Sequence, residues 1–282
     1  MKHRFAALTA AILLCASPAL AQDKLPPLRT GVDGTFAPHA FPKPGGGTQG
    51  FQIDLFNEVA KRMHRDITID SVSFSTLIPG MQSGRYDFIA APTTVTKERA
   101  EQMLFTSGYL WTAFQFGIKK GTPPIKGWED LKGKAVSVNK GTPYETLSQQ
   151  KAKEIGFDVQ AYDTQPDATQ AVLSGRAYAT LGGNTVIVYT AQQTPQFVAD
   201  LELKETRAHW AAPTRKDNVK LRNQLQDAMD CMKKEGRIAA LYEKWFKKKP
   251  AADDLAVVIT PGYGVPGMPG YDPTPHELHC GG

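Results

Sequence analysis

The chain has 282 residues, 41% hydrophobic and 22% charged, the proportions of a soluble globular protein long enough for one large core or two ordinary ones. Its formal net charge is +5, or +3 without Lys2 and Arg4. The basic residues are scattered except for "KKK" at 247–249, which closes a helix and suits its negative end, so no basic face interleaved with aromatics invites nucleic acid.

Residues 1–21 read as a signal peptide: Lys2, His3 and Arg4, then the apolar "FAALTAAILLCA", then the small-residue pattern "ALA". The apolar run is short for a membrane span, and no later segment approaches about 18 apolar residues. Leu14 ahead of Cys15 argues against a lipoprotein. The expectation is a mature chain from about Gln22, exported to the periplasm in soluble form. Cleavage removes Cys15 and leaves Cys231 and Cys280, which an oxidising compartment invites to pair. Two unpaired thiols, with Cys231 simply packed, are the alternative.

Short β-type runs then alternate with helical patterns: "LRTGVD" (28–33), "ITIDSV" (67–72), "YDFIAA" (86–91), "AFQFGI" (113–118), "KAVSVN" (134–139), "FDVQAY" (157–162) and "AYATLG" (177–182). Between the first two, Phe56, Val59, Ala60 and Met63 fall on one face of a helix. The alternation predicts α/β layers with mostly parallel sheets. "MQSGRYDFIAAPT" at Met81 and "VLSGRAYATLGGN" at Val172 share one plan: helix end, Ser-Gly-Arg, strand, polar turn. Gly84 and Gly175 would be left-handed helix caps. The echo suggests two lobes of similar build, and parallel sheets bind ligands at the carboxyl ends of their strands. Residues 91–94 and 182–184 would then face each other across a cleft.

The stretch "FIAAPTTVTKERAEQMLFT" (88–106) ends an apolar run in a proline and small hydroxyl residues, with Arg99 close behind. Either an anion sits there or this is a capped helix carrying a surface arginine. Towards the C-terminus, Leu221, Leu225, Ala228, Met229 and Met232 share a helical face, and Gly236 separates that helix from "RIAALYEKWF". The Gly- and Pro-rich tail after Pro250 should run irregularly over the surface. Its "HELHC" (276–280) groups two imidazoles and a thiol, although an irregular tail rarely fixes a metal's full coordination set. No metal or cofactor is expected.

Taken together, "GFQIDLFNEVAKRM", "FSTLIPGMQSGRYDFIAAPTTVTKERAEQMLFTSGY", "GWEDLKGKAVSVNKGTPYE" and "LYEKWF" resemble the family 3 solute-binding proteins, the periplasmic receptors of polar amino-acid ABC importers. The resemblance implies an α/β, two-lobed periplasmic-binding-protein-like (type II) fold with a hinge between the lobes. It places lobe 1 at 22–111 and 207–249 and lobe 2 at 112–206, with the tail 250–282 outside. The partners it implies are a small organic anion or amino acid and an inner-membrane ABC permease, with the protein itself a monomer.

Arg99 matches the family's clamp on the ligand α-carboxylate, for which a guanidinium offers paired donors in a fixed fork. Thr94 matches a backbone N–H donor, and Thr142 a second-lobe anion contact. Phe36 and Phe74 match apolar walls of the cleft, although either aromatic alone is more often core. Asp33 matches a position that touches ligand in some members; a turn-capping Asp is the alternative. Pro92 keeps a carbonyl for the ligand ammonium, whereas Pro143 lacks the backbone N–H often used there.

Gly183 stands where the family carries an Asp that pairs with the ligand ammonium, and no acid occurs from Ala168 through Ala199. Either Asp33 or another carboxylate takes over, or the ligand lacks a free amine. The same fold hosts a periplasmic cyclohexadienyl dehydratase, but the general acid of that branch has no counterpart after Gly183, so no enzyme activity and no catalytic residue is expected. A partner-docking protein without ligand is the remaining alternative.

Overall fold

The computed structural model describes residues 25–280, so the expected signal peptide lies outside the described residues. The chain opens with β1 (Leu28–Val32), β2 (Phe41–Pro42), β3 (Thr48–Gln49), α1 (Phe51–Arg62), β4 (Ile67–Ser71) and α2 (Phe74–Gln82). Next come β5 (Thr93–Thr94), α3 (Lys97–Gln102), β6 (Met103–Phe105) and the long β7 (Leu110–Lys119). Three strand–helix units follow: β8 (Ala135–Asn139) with α4 (Pro143–Ile155), β9 (Asp158–Tyr162) with α5 (Gln165–Leu173), and β10 (Ala179–Gly183) with α6 (Asn184–Gln193). The chain returns through β11 (Phe197–Ala211) and β12 (Pro213–Arg215) to α7 (Val219–Lys234) and α8 (Arg237–Phe246).

The buried side chains gather into four clusters among the described residues, and the two largest, taken with the partly buried side chains packed against them, have no residue in common. In one, Leu28, Phe51, Leu55 and Val59 pack with Leu221, Leu225, Met229 and Ile238, so α1, α7 and α8 cover β1. In the other, Phe116, Ile118, Val136, Val138 and Leu181 pack with Leu203. The helical stripes behave as their spacing requires. Phe56, Val59 and Ala60 are buried, Met63 just past the end of α1 is half-buried against the same core, and Leu221, Leu225, Ala228, Met229 and Met232 are buried.

The main sheet has six strands in the order β5-β11-β7-β10-β8-β9. Only its β10–β8 and β8–β9 pairs are parallel, with β1–β4 a third parallel pair outside it. The expectation of mostly parallel sheets is therefore corrected. The two longest strands, β7 and β11, pass along the molecule in opposite directions and pair antiparallel, from Phe197 opposite Lys119 to Trp210 opposite Leu110. Their ladder is interrupted between Leu203 and Ala208.

A second correction concerns residues 86–91, which are not a regular strand. The run is tied to its neighbours by Asp87 N–H to Arg29 O at 2.8 Å and Ile89 N–H to Pro213 O at 3.1 Å. Between them the hydroxyl of Thr30 intervenes: it donates to Phe88 O (2.8 Å) and accepts from Ala90 N–H (2.9 Å). A side chain has taken over part of the ladder. Gly84 and Gly175 do close their helices left-handed, at φ +81° and +78°.

The tail docks on α7. Gln226 accepts from Gly264 N–H at 2.8 Å and donates to Gly262 O at 2.7 Å. Tyr263 stacks on His276 with ring centroids 4.0 Å apart, and Cys231 is joined to Cys280 by a disulfide. Among the described residues, no helix is long and apolar enough to cross a membrane.

Candidate functional site

The carboxyl ends of the strands converge on a cleft between the lobes. Its cavity, about 330 Å³ including the open mouth, is lined by Asp33, Phe36, Phe74, Ala91, Pro92, Thr94, Arg99, Asn139, Thr142, Pro143 and Tyr144. Seven of the eight ligand-site residues expected from sequence, from Asp33 to Thr142, are thus brought into one place.

Arg99 reaches the cleft from α3 and dominates its electrostatics. The guanidinium donates to Thr94 O at 3.0 Å and to Gly141 O at 3.1 Å, and lies 5.6 Å from the centre of the Phe74 ring. Among the described residues no carboxylate lies within 4 Å of it. Burial pushes its pKa down to about 10, which leaves it charged at neutral pH. Two of its five N–H donors meet carbonyls, so a positive group is held in a cleft with no counter-charge of its own.

Asp33 supplies the opposite sign. It follows β1 and is buried, its Oδ1 accepting from the backbone and hydroxyl of Thr35 at 3.0 and 2.6 Å. The Asx turn read from sequence is therefore present, and it uses only half of the carboxylate. Oδ2 has no partner. Burial pushes the Asp33 carboxyl up, and the bonds from Thr35 pull it back.

Phe36 and Phe74 are buried walls, Phe36 meeting Trp210 edge-on at 6.4 Å. The hydroxyl of Thr94 accepts from Trp210 Nε1 at 3.0 Å, and its carbonyl is taken by Arg99. Thr142 is the N-cap of α4: its hydroxyl donates to Asn139 O at 2.5 Å and accepts from Glu145 N–H at 3.4 Å. With that hydroxyl committed, the N–H is what Thr142 has left for an anion. Pro143 takes the first position of the helix, where its missing N–H matters least within the helix itself.

Gly183 departs from expectation, because it stands behind the cavity wall and does not line it. A Cβ at Gly183 would lie 2.7 Å from the Tyr144 hydroxyl and 3.0 Å from the Trp210 ring. Tyr144 therefore fills the corner into which a side chain at 183 would project, and it leaves no room for one. Burial pushes the Tyr144 pKa up, against the pull of Arg99, so its hydroxyl remains a donor.

Tyr144 and Asn139 were not singled out from the sequence. Both sit beside recognisable signals, "KGTPYE" and the end of "KAVSVN", but their orientation depends on contacts distant in sequence. The lobes also touch beyond the cavity. The His39 ring nitrogen Nε2 lies 2.8 Å from the Thr185 hydroxyl of α6, and Phe41 meets Tyr189 at 6.2 Å. In "HELHC" Cys280 is taken up by the disulfide, and among the described residues no group of three or more His, Cys, Asp or Glu is placed to hold a metal.

Two lobes joined by long antiparallel strands, with a charged cleft between them, define a binding protein of the hinged type. Residues 28–248 match the bacterial extracellular solute-binding proteins, family 3, and the chain belongs to that family. The L-cystine-binding protein TcyJ of Escherichia coli K12 is 30% identical over 220 residues, 78% of this chain and 82% of the relative. Among solved structures, an ancestral arginine-binding protein bound to arginine has 33% identity and a TM-score of 0.76, covering 79% of this chain and 99% of its own. An ancestral arginine-binding protein bound to glutamine has 32% identity and a TM-score of 0.73, covering 78% and 98%.

Proposed function

We propose that the protein captures an α-amino acid zwitterion in the periplasm and presents it to an inner-membrane ABC permease. One observation carries the reading. A single cavity holds a half-buried arginine without a carboxylate partner and a buried aspartate with one free oxygen, and no ion pair within 4 Å joins them. Opposite charges kept apart in one cleft are complementary to a molecule that carries both. Arg99 takes the ligand carboxylate, with the N–H of Thr142 at the start of α4 as a second donor. Asp33 Oδ2 takes the ammonium, in the role that Gly183 cannot fill, and Phe36 and Phe74 enclose the carbon skeleton. The relatives named for cystine and arginine, and the solved complex with glutamine, support the same class of ligand.

The mechanism is binding with closure. We assign lobe 1 to 22–111 and 207–249, lobe 2 to 112–206, and the hinge to the places where β7 and β11 cross between them. Arg99 bonding to Gly141 O, and His39 to Thr185, are contacts that form when the lobes meet, so ligand and closure reinforce each other.

The test is calorimetric titration of ligand-stripped protein with α-amino acids and with matched carboxylates lacking the amine. The expected result is binding of the amino acids alone, with Asp33→Asn weakening it by 10-fold or more. Equal affinity for the amine-free series would overturn the zwitterion reading, and full affinity in Arg99→Ala would overturn the site.

A further inference from the structure

One cavity group is not used by the zwitterion. Asn139 ends β8 at the cleft, is 1% exposed and lines the cavity. Its Nδ2 donates to Asp163 O at 3.1 Å. A carbonyl can only accept, so this bond fixes which way the amide points and turns Oδ1 away from Asp163. Oδ1 is buried and has no partner. A buried acceptor left unmet is unfavourable, and a site with such an acceptor discriminates strongly against ligands that bring no donor to it.

The charges around the cavity define what that donor is. Asp33 is the only acid among the lining residues and Arg99 the only base. With Asp33 engaged by the ammonium, a second cation next to Asn139 would be enclosed without a counter-charge. A hydrocarbon side chain would leave Oδ1 orphaned. An uncharged N–H satisfies both conditions. A carboxamide also brings a carbonyl, and Tyr144 supplies a hydroxyl donor in the same cavity. The Tyr144 phenol and the Trp210 ring close the corner at Gly183, so no acidic side chain from that position alters the balance.

We propose that Asn139 is the specificity-determining residue of this cleft, selecting α-amino acids whose side chain ends in an uncharged hydrogen-bond donor, carboxamides above all. The inference rests on the zwitterion reading above and adds the side chain to it.

The experiment titrates the full, ligand-stripped chain with glutamine, asparagine, methionine and arginine. Methionine is close to glutamine in length and lacks the donor. The wild type is expected to favour glutamine or asparagine over methionine at least 10-fold, and over arginine as well. In Asn139→Leu the preference over methionine should collapse to about 2-fold, chiefly through loss of carboxamide affinity. Asn139→Asp, which keeps the shape and adds a charge, should move the preference towards arginine. Melting curves with and without methionine establish that each variant folds and still binds, and the aspartate variant keeps the question open to test should the leucine variant not fold. An unchanged glutamine-to-methionine ratio in Asn139→Leu overturns the inference while leaving the zwitterion reading intact, and so does a wild type that prefers arginine. A wild type that binds none of the four overturns the inference, and the wider amino-acid titration above then decides the zwitterion reading.

Discussion

Lys233 on α7 and Arg99 in the cleft are two cations that the molecule treats in opposite ways. Lys233 on α7 is buried with Asp230 at 3.3 Å, both side chains fully shielded from solvent. Its ammonium also donates to Gly108 O at 2.9 Å, and Gln226 donates to the other oxygen of Asp230 at 3.2 Å. Arg99 in the cleft meets two carbonyls and no acid. Burial lowers the pKa of both, but only at Lys233 does a carboxylate push back. Lys233 is fully partnered and therefore structural. Arg99 is under-partnered, and its deficit is the size of one carboxylate. On the zwitterion reading proposed above, the ligand carboxylate is what Arg99 lacks.

Exchanging the two outcomes would break this comparison. Arg99→Ala should reduce amino-acid affinity by roughly 10²- to 10⁴-fold, the equivalent of two charged hydrogen bonds at about 1.5–3 kcal/mol each. Its unliganded melting temperature should stay level or rise, because an uncompensated charge has gone. Lys233→Met should do the reverse and destabilise the fold by about 3–5 kcal/mol, since Asp230 is left buried and alone. Urea unfolding and calorimetry on both variants decide the matter. A stable Lys233→Met, or an Arg99→Ala that unfolds, would show that the roles are wrongly assigned.

The disulfide gives a smaller effect on the Lys233 side alone. It closes a loop of 49 residues on the helix that carries Asp230 and Lys233. Cys280→Ser should lower stability by about 2–4 kcal/mol, since the tail would remain docked only through contacts such as those of Gln226. Affinity for ligand should not change. A loss of binding in this variant would mean that the tail reaches the cleft.

Much of this was legible in the sequence wherever a signal is local. The stripes of α1 and α7, the left-handed Gly84 and Gly175, and the convergence of Asp33, Phe36, Phe74, Thr94 and Arg99 all follow from patterns of a few residues set in family order. What was not legible depends on long-range geometry. The run 86–91 looked like a strand because its residues are apolar, but Thr30, 58 residues before Phe88, breaks into its ladder. Gly183 marked a missing acid, yet only the fold shows Tyr144 standing in the vacated corner. Asn139 ends a strand in a typical way, and nothing in "KAVSVN" says that one face of its amide is tied to Asp163 and the other left free.

A buried histidine sharpens the comparison, because it escapes the problem by losing its charge. His39 has no exposed surface and sits among rings, 4.8 Å from Trp210 and 5.5 Å from Phe246. Its Nε2 meets the Thr185 hydroxyl, while Nδ1 has no partner. Burial pushes its pKa from 6.5 to about 3. The folded state thus refuses a proton that the unfolded chain accepts, so the stability associated with neutral His39 is complete above about pH 6.5 and is lost as pH falls towards 3. Between pH 7 and pH 5 the loss from this residue is about 2 kcal/mol, at 1.36 kcal/mol per unit once the unfolded imidazole is protonated. His209, with a pKa pushed down to about 4 by burial, adds a smaller loss of the same sign. Urea unfolding at the two pH values should show the decrease in the wild type and a shallower one in His39→Gln, whose amide has no proton to gain. An equal decrease in both would mean that His39 is solvated or already charged. Arg99 would then no longer differ from His39 in staying charged without an acidic partner.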